Sequence, residues 1–167
     1  MALAPDSPFP SLFLPRVGGG TVHLGGAGPA LVLFFRADCE ASGHAALAVG
    51  RIAEALIPRG LLVVGVAQED AGDAAAFAAL HGLGAAVLST DASSYLASDA
   101  VALARTPTAF LVEDGRVLAV VEGWSRHEYN ALAALAAERV GAEAPTASPR
   151  DDGLPDIAPG TIARNAG

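Results

Sequence analysis

Two apolar runs separated by a helical stretch constrain this chain more than anything else in it. Ala30 to Phe35 and Leu61 to Ala67 are continuous apolar segments, the pattern of strands buried on both faces. Between them, from Cys39 to Ile57, the period becomes helical. Ala46, Val49, Ala53, Leu56 and Ile57 share one face, while Glu40, His44, Arg51 and Glu54 lie on others. Pro58 and Gly60 stop the helix. A strand, a helix and a second buried strand imply a right-handed parallel crossover, so the fold class is α/β.

The flanking segments extend this unit. Thr21 to Leu24 alternates, and with Leu12 to Arg16 it predicts an N-terminal hairpin across Gly18-Gly19-Gly20. Asp73 to His81 reads as a short helix with Asp73 as its N-cap, Ala85 to Leu88 as a short strand, and Tyr95 to Leu103 as a partly helical connection. Thr108 to Glu113 and Arg116 to Glu122 form a hairpin over Asp114-Gly115. The last helix starts at Ser125, with Glu128 placed to close a capping box, and buries Tyr129, Leu132, Leu135 and Ala136. Beyond Gly141 little remains to bury. The expected organisation is one domain over 1–141 and a flexible Ala/Pro/Gly-rich tail over 142–167.

Charge and residue usage narrow the function classes. The net charge is −8 and all ten basic residues are Arg, which argues against a nucleic-acid or anionic-membrane partner. No stretch approaches the roughly 18 apolar residues of a membrane span. Met1 to Asp6 lacks the basic and apolar regions of a signal peptide, so a cytoplasmic location is expected. The single cysteine, Cys39, cannot form an internal disulfide. His23, His44, His81 and His127 show no ligand spacing, and the glycine clusters at 18–20 and 25–28 do not join a strand to a helix. Neither a metal nor a nucleotide cofactor is therefore expected.

The order of elements, together with specific short motifs, resembles the thioredoxin fold. More narrowly it resembles the TlpA/ResA and AhpC/TSA-like redoxins. The matching pieces run over residues 4–140: Ala4-Pro5-Asp6, Leu14-Pro15, Gly20-Thr21-Val22 and Leu33-Phe34-Phe35-Arg36-Ala37-Asp38-Cys39. Thr106-Pro107-Thr108-Ala109-Phe110-Leu111-Val112-Glu113-Asp114-Gly115 follows, and Gly123 opens into the last helix. The resemblance implies a central mixed sheet flanked by helices, with the hairpin as an N-terminal extension. It makes Cys39 the nucleophile at a helix start. It also makes Thr106-Pro107 a cis bond whose loop lies beside that cysteine and binds substrate.

The departures from the family pattern are equally definite. Ser42 replaces the resolving cysteine of Cys-x-x-Cys, and Asp38 stands where the family usually has Trp. Leu33 and Ala45 replace acidic proton-relay positions. Val32 and Arg36 occupy the Pro and Thr positions of the peroxiredoxin motif, and Pro107 the position of its Arg. Dithiol and peroxidase chemistry are both incomplete.

What remains is monothiol chemistry at Cys39, either thiol–disulfide exchange or an antioxidant reaction. A low-molecular-weight thiol or a protein disulfide would be the partner, and a disulfide to Cys39 of a second chain would give a homodimer. The alternative is a catalytically degenerate binding module using the groove beside Pro107. The helix start favours the Cys39 thiolate by about 0.3–2 kcal/mol. Asp38 and Glu40 each oppose it by roughly 1–3 kcal/mol, with Arg36 able to offset one of them. These opposed effects predict no strong activation. Ser42 is expected to hydrogen-bond the sulfur or to satisfy a first-turn N–H.

Overall fold

The computed structural model describes residues 2–92 and 94–165. In chain order the elements are β1 (Leu12–Pro15), β2 (Thr21–Leu24), β3 (Pro29–Phe35), α1 (Glu40–Leu56), β4 (Leu62–Ala67), α2 (Ala71–His81), β5 (Val87–Thr90) and α3 (Leu96–Ala100). Then follow β6 (Arg105–Thr106), β7 (Thr108–Glu113), β8 (Arg116–Glu122), β9 (Trp124–Ser125), α4 (Arg126–Val140), β10 (Ile157–Ala158) and β11 (Thr161–Ile162).

The main sheet has the order β5-β4-β3-β7-β8. Its centre, β3, pairs parallel with β4 and antiparallel with β7, so the sheet is mixed. Alternation along β3 divides the core. Leu31, Leu33 and Phe35 pack with α1 and α4, while Val32 and Phe34 pack with Leu14, Val22 and Leu24 of the β1–β2 hairpin and with Ala97 of α3. Each such fully buried side chain contributes on the order of 1.5–3 kcal/mol, which is why a two-faced apolar strand ends up at the sheet centre. This is the thioredoxin-like α/β arrangement expected from the sequence, with a hairpin closing the second face.

Local expectations differ from the structure in two places. The N-cap of α2 is Asp70 rather than Asp73; its carboxylate accepts from the Asp73 N–H at 2.9 Å. Both residues can cap, but Asp70 is the one held extended (φ −71°, ψ 173°) as the chain leaves β4. The strand expected over Ala85–Leu88 is shifted to Val87–Thr90, because parallel pairing sets Ser89 and Thr90 opposite Val66 and Ala67. Ser89 is fully buried and its hydroxyl donates to the Pro15 carbonyl at 2.7 Å, so a buried polar residue completes this edge strand.

Over 142–165, the stretch expected as a flexible tail, the chain packs along the domain; Ala166 and Gly167, like Met1 and Ser93, lie outside the described residues. The segment is pinned largely by polar groups, with Ala147 buried in the core and Leu154 and Ala158 packed against it. Arg126 on α4 donates to Asp152 (2.8 Å), the Leu154 carbonyl (2.7 Å) and Ser148 (3.2 Å), and pairs with Asp156. Trp124 donates its indole N–H to the Pro155 carbonyl at 2.8 Å. Burial alone would push the Asp152 carboxyl up. Hydrogen bonds from Ser148, the Leu154 N–H, Arg126 and Arg51 overcome that and hold it well below the ordinary range. Such anchoring has no hydropathy signature, since its partners are charges and backbone carbonyls from distant elements.

One core group is left without a partner. Tyr129 is fully buried and its hydroxyl makes no hydrogen bond among the described residues. An unpaired buried hydroxyl costs roughly 1–3 kcal/mol of desolvation. Tyr129→Phe should therefore raise stability by about 1–3 kcal/mol in urea unfolding. A lower midpoint would instead reveal a partner for the hydroxyl.

Candidate functional site

Cys39 is the N-cap of α1, in extended conformation (φ −113°, ψ 116°), at the end of the turn leaving the central strand β3. It is 4% exposed. Its Sγ donates to the Thr106 carbonyl at 3.4 Å, and the Thr106–Pro107 bond is cis. Two distant segments thus meet here because β3 and β7 are antiparallel neighbours, which sets the turn after β3 beside the entry to β7.

Ser42 makes the backbone N–H contact expected of a first-turn serine. Fully buried in the first turn of α1, it accepts from the Arg36 backbone N–H at 3.3 Å. Burial pushes the Cys39 thiol up, and hydrogen bonds from Ser42 and Thr161, each through side chain and backbone, bring it down further. The balance lies below the ordinary thiol value.

The two flanking carboxylates oppose this less than their positions in the sequence suggest. Arg36 binds Asp38 through Nε (2.9 Å) and Nη2 (2.7 Å), and Arg164 lies 3.5 Å from the same carboxylate. The Arg36 hydrogen bond keeps the Asp38 carboxyl below its ordinary value. Glu40 points to solvent with its side chain 92% exposed, 4.0 Å from His44. Screening by water weakens what it can do to the sulfur. Charge pairing by Arg36, as the sequence allowed, lessens the opposition of Asp38 to a Cys39 thiolate, and solvent lessens that of Glu40.

Four further residues shape the site. Gln68 and Glu69 follow β4 at the carboxyl end of the sheet, where crevices form in α/β folds. Glu69 accepts from the Ala37 N–H at 2.8 Å and pairs with Arg164 at 2.8 Å. Burial raises its carboxyl despite both contacts. Thr161 and Arg164 come from the C-terminal segment. The strand-end rule could have located Gln68 and Glu69 from sequence, whereas nothing periodic marks Thr161 or Arg164.

Beside Cys39 opens a cavity of about 670 Å³, lined among others by Asp38, Glu40, His44, Leu47, His81 and Leu154. Burial, and then the neighbouring His44, lowers the His81 titration, so the ring is neutral at pH 7. Trp124, buried at 2% exposure, meets the His44 ring edge-on with centroids 5.9 Å apart. Among the described residues, no group of three or more His, Cys, Asp or Glu side chains could hold a metal ion. No helix there is long and apolar enough to cross a membrane.

No protein-family model and no curated protein matches the chain. Solved structures do. A Chlorobium tepidum protein assigned as a thiol:disulfide interchange protein DsbE superposes with TM-score 0.73 at 21% identity, over 84% of this chain and 100% of its own. The peroxidoxin BcpB of Mycobacterium tuberculosis gives 0.65 at 19% identity, over 83% and 97%. A Sinorhizobium meliloti protein gives 0.69 at 19%, over 97% and 94%, an alignment too long to leave out residues 142–165 as a whole. At these identities the likeness is one of fold.

Proposed function

From a thioredoxin fold whose only cysteine caps its first helix, we propose a monothiol protein of thiol–disulfide exchange. The Cys39 thiolate attacks one sulfur of a disulfide. A mixed disulfide forms, and the other sulfur leaves as a thiolate that takes a proton from water. Without a second cysteine in the chain, an external low-molecular-weight thiol attacks the mixed disulfide and returns Cys39 to its thiolate. A reducing cytoplasm would supply that thiol. The observation that carries this reading is Cys39 at the N-cap of α1, its Sγ 3.4 Å from the carbonyl of the cis Thr106–Pro107 bond, where Ser42 and Thr161 help hold the thiol below its ordinary value. Peroxide reduction is disfavoured, since Val32, Arg36 and Pro107 occupy the places of the peroxiredoxin Pro, Thr and Arg.

One observation favours the binding-module reading. Leu33 and Ala45, at the positions of the family's acidic proton relays, are fully buried apolar residues. The two readings separate on the pH dependence of iodoacetamide labelling, read by intact mass. Exchange chemistry expects an apparent Cys39 pKa below the roughly 8.5 of an ordinary thiol, and one glutathione added from glutathione disulfide. Ser42→Ala should raise that pKa by about one unit, the worth of a typical hydrogen bond. A wild-type value at or above roughly 8.5, with no glutathione adduct, would leave the binding module.

A further inference from the structure

The C-terminal segment lies across the site as an added strand. Thr161 pairs with Thr106 and Ile162 with Arg105 in antiparallel register, and the Ala163 N–H donates to the Ala104 carbonyl at 3.0 Å. Arg36 donates to the Ile162 carbonyl at 2.8 Å. Gln68, fully buried, grips the next residue by its main chain. Its Oε1 accepts from the Arg164 N–H at 2.8 Å and its Nε2 donates to the Arg164 carbonyl at 2.9 Å.

We propose that residues 157–165 are a built-in occupant of a groove for an extended polypeptide, covering Cys39 until another peptide strand displaces them. This deepens, and rests on, the reading of Cys39 as the exchanging thiol.

The partner class follows from what the groove reads. Its contacts to 162–164 fall mainly on backbone N–H and C=O groups, while the Ile162 side chain is 70% exposed. Such a surface takes extended main chain by β-strand addition, and Glu69 and Asp38, which meet the Arg164 side chain, add a preference for a cationic side chain three residues beyond the one facing Thr106. A small thiol or peroxide would satisfy none of these groups. The resident strand fits closely: a Cβ on Gly160 would lie 2.5 Å from the Thr106 carbonyl oxygen. At the register position facing Thr106, whose carbonyl lies 3.4 Å from the Cys39 Sγ, it carries Thr161, which cannot exchange with a thiol. A substrate strand in this register would present its own sulfur there. Because the resident segment is tethered, it competes at an effective concentration on the order of mM, so short free peptides are excluded unless they bind well.

Two full-length variants test this. In Thr161→Cys, diamide should take two hydrogens from the two thiols. The product is an intrachain disulfide to Cys39, seen as a mass lower by those hydrogens with no alkylatable thiol after denaturation. Two free thiols, or a disulfide joining two chains, would overturn the proposal. In Gly160→Leu, iodoacetamide labelling of native Cys39 should rise by at least about tenfold as the strand is unseated. The synthetic peptide Ile-Ala-Pro-Gly-Thr-Ile-Ala-Arg-Asn, matching residues 157–165, should restore protection. Unchanged labelling in a folded variant would also overturn it. Both assays read position and access. A Cys39 that becomes accessible yet takes no glutathione would sink the proposed exchange function while leaving the groove intact.

Discussion

Ser42→Cys is expected to give the chain dithiol activity that it now lacks. The introduced thiol would lie three residues from Cys39 on the first turn of α1, where i and i+3 side chains are neighbours about 5–6 Å apart at Cβ, within reach of a disulfide after local adjustment. A mixed disulfide at Cys39 would then be resolved within the chain rather than by an outside thiol. Intramolecular attack removes a bimolecular encounter, so insulin reduction should rise on the order of a hundredfold or more over wild type. The measurement is best made alone and in combination with Gly160→Leu, so that covering of Cys39 is not mistaken for chemical incompetence. If the variant forms its internal disulfide yet stays silent with insulin in both backgrounds, proton transfer is what is missing. Buried Leu33 and Ala45 would then be the reason, and the binding-module reading would prevail.

Gly50→Ala should cost about 3 kcal/mol or more, at the upper end for overpacked sites. Helix propensity alone predicts the opposite, since alanine gains about 1 kcal/mol over glycine in a helix interior. The contact decides the sign. A Cβ on Gly50 would lie 2.0 Å from the Gly82 carbonyl oxygen, backbone that ends α2 and cannot simply swing away. Since whole-domain stability is only about 5–15 kcal/mol, the loss should be plain in the urea midpoint. It should also loosen Cys39, because the same helix carries the thiol at its N-terminus. A variant as stable as wild type, or more stable, would mean that α1 and α2 can slide apart without penalty.

Much of the fold was legible because hydrophobic periodicity reports apolar burial directly. The β1–β2 hairpin, the central strand β3 and the Ser125 cap of α4 appear where the sequence placed them, and the helix expected from Cys39 begins one residue later, with Cys39 as its N-cap. In α4 the Ser125 hydroxyl accepts from the Glu128 N–H at 3.2 Å, half of the expected capping box. Sequence and structure differ where two residues compete for one role, as at Asp70 and Asp73, or where a buried polar side chain completes an edge strand, as at Ser89. For the site, Cys39, Ser42, Thr106 and Pro107 are brought together, with Arg36 and Asp38 locked to one another and Glu40 turned to solvent.

The sequence by itself determined the strand–helix–strand core and the single cysteine at a helix start. These depend on residue type and on spacing within a few turns of chain, where local propensity and apolar burial act. Only the tertiary structure decided that Gly50 is needed for close helix approach, that Arg126 is an interior anchor, and that residues 157–165 lie over Cys39. Each of these depends on which backbone group, from a segment tens of residues away, comes within hydrogen-bonding or contact distance. Main-chain N–H and C=O groups are the same at nearly every position, so a strand held by them leaves no pattern in the order of side chains.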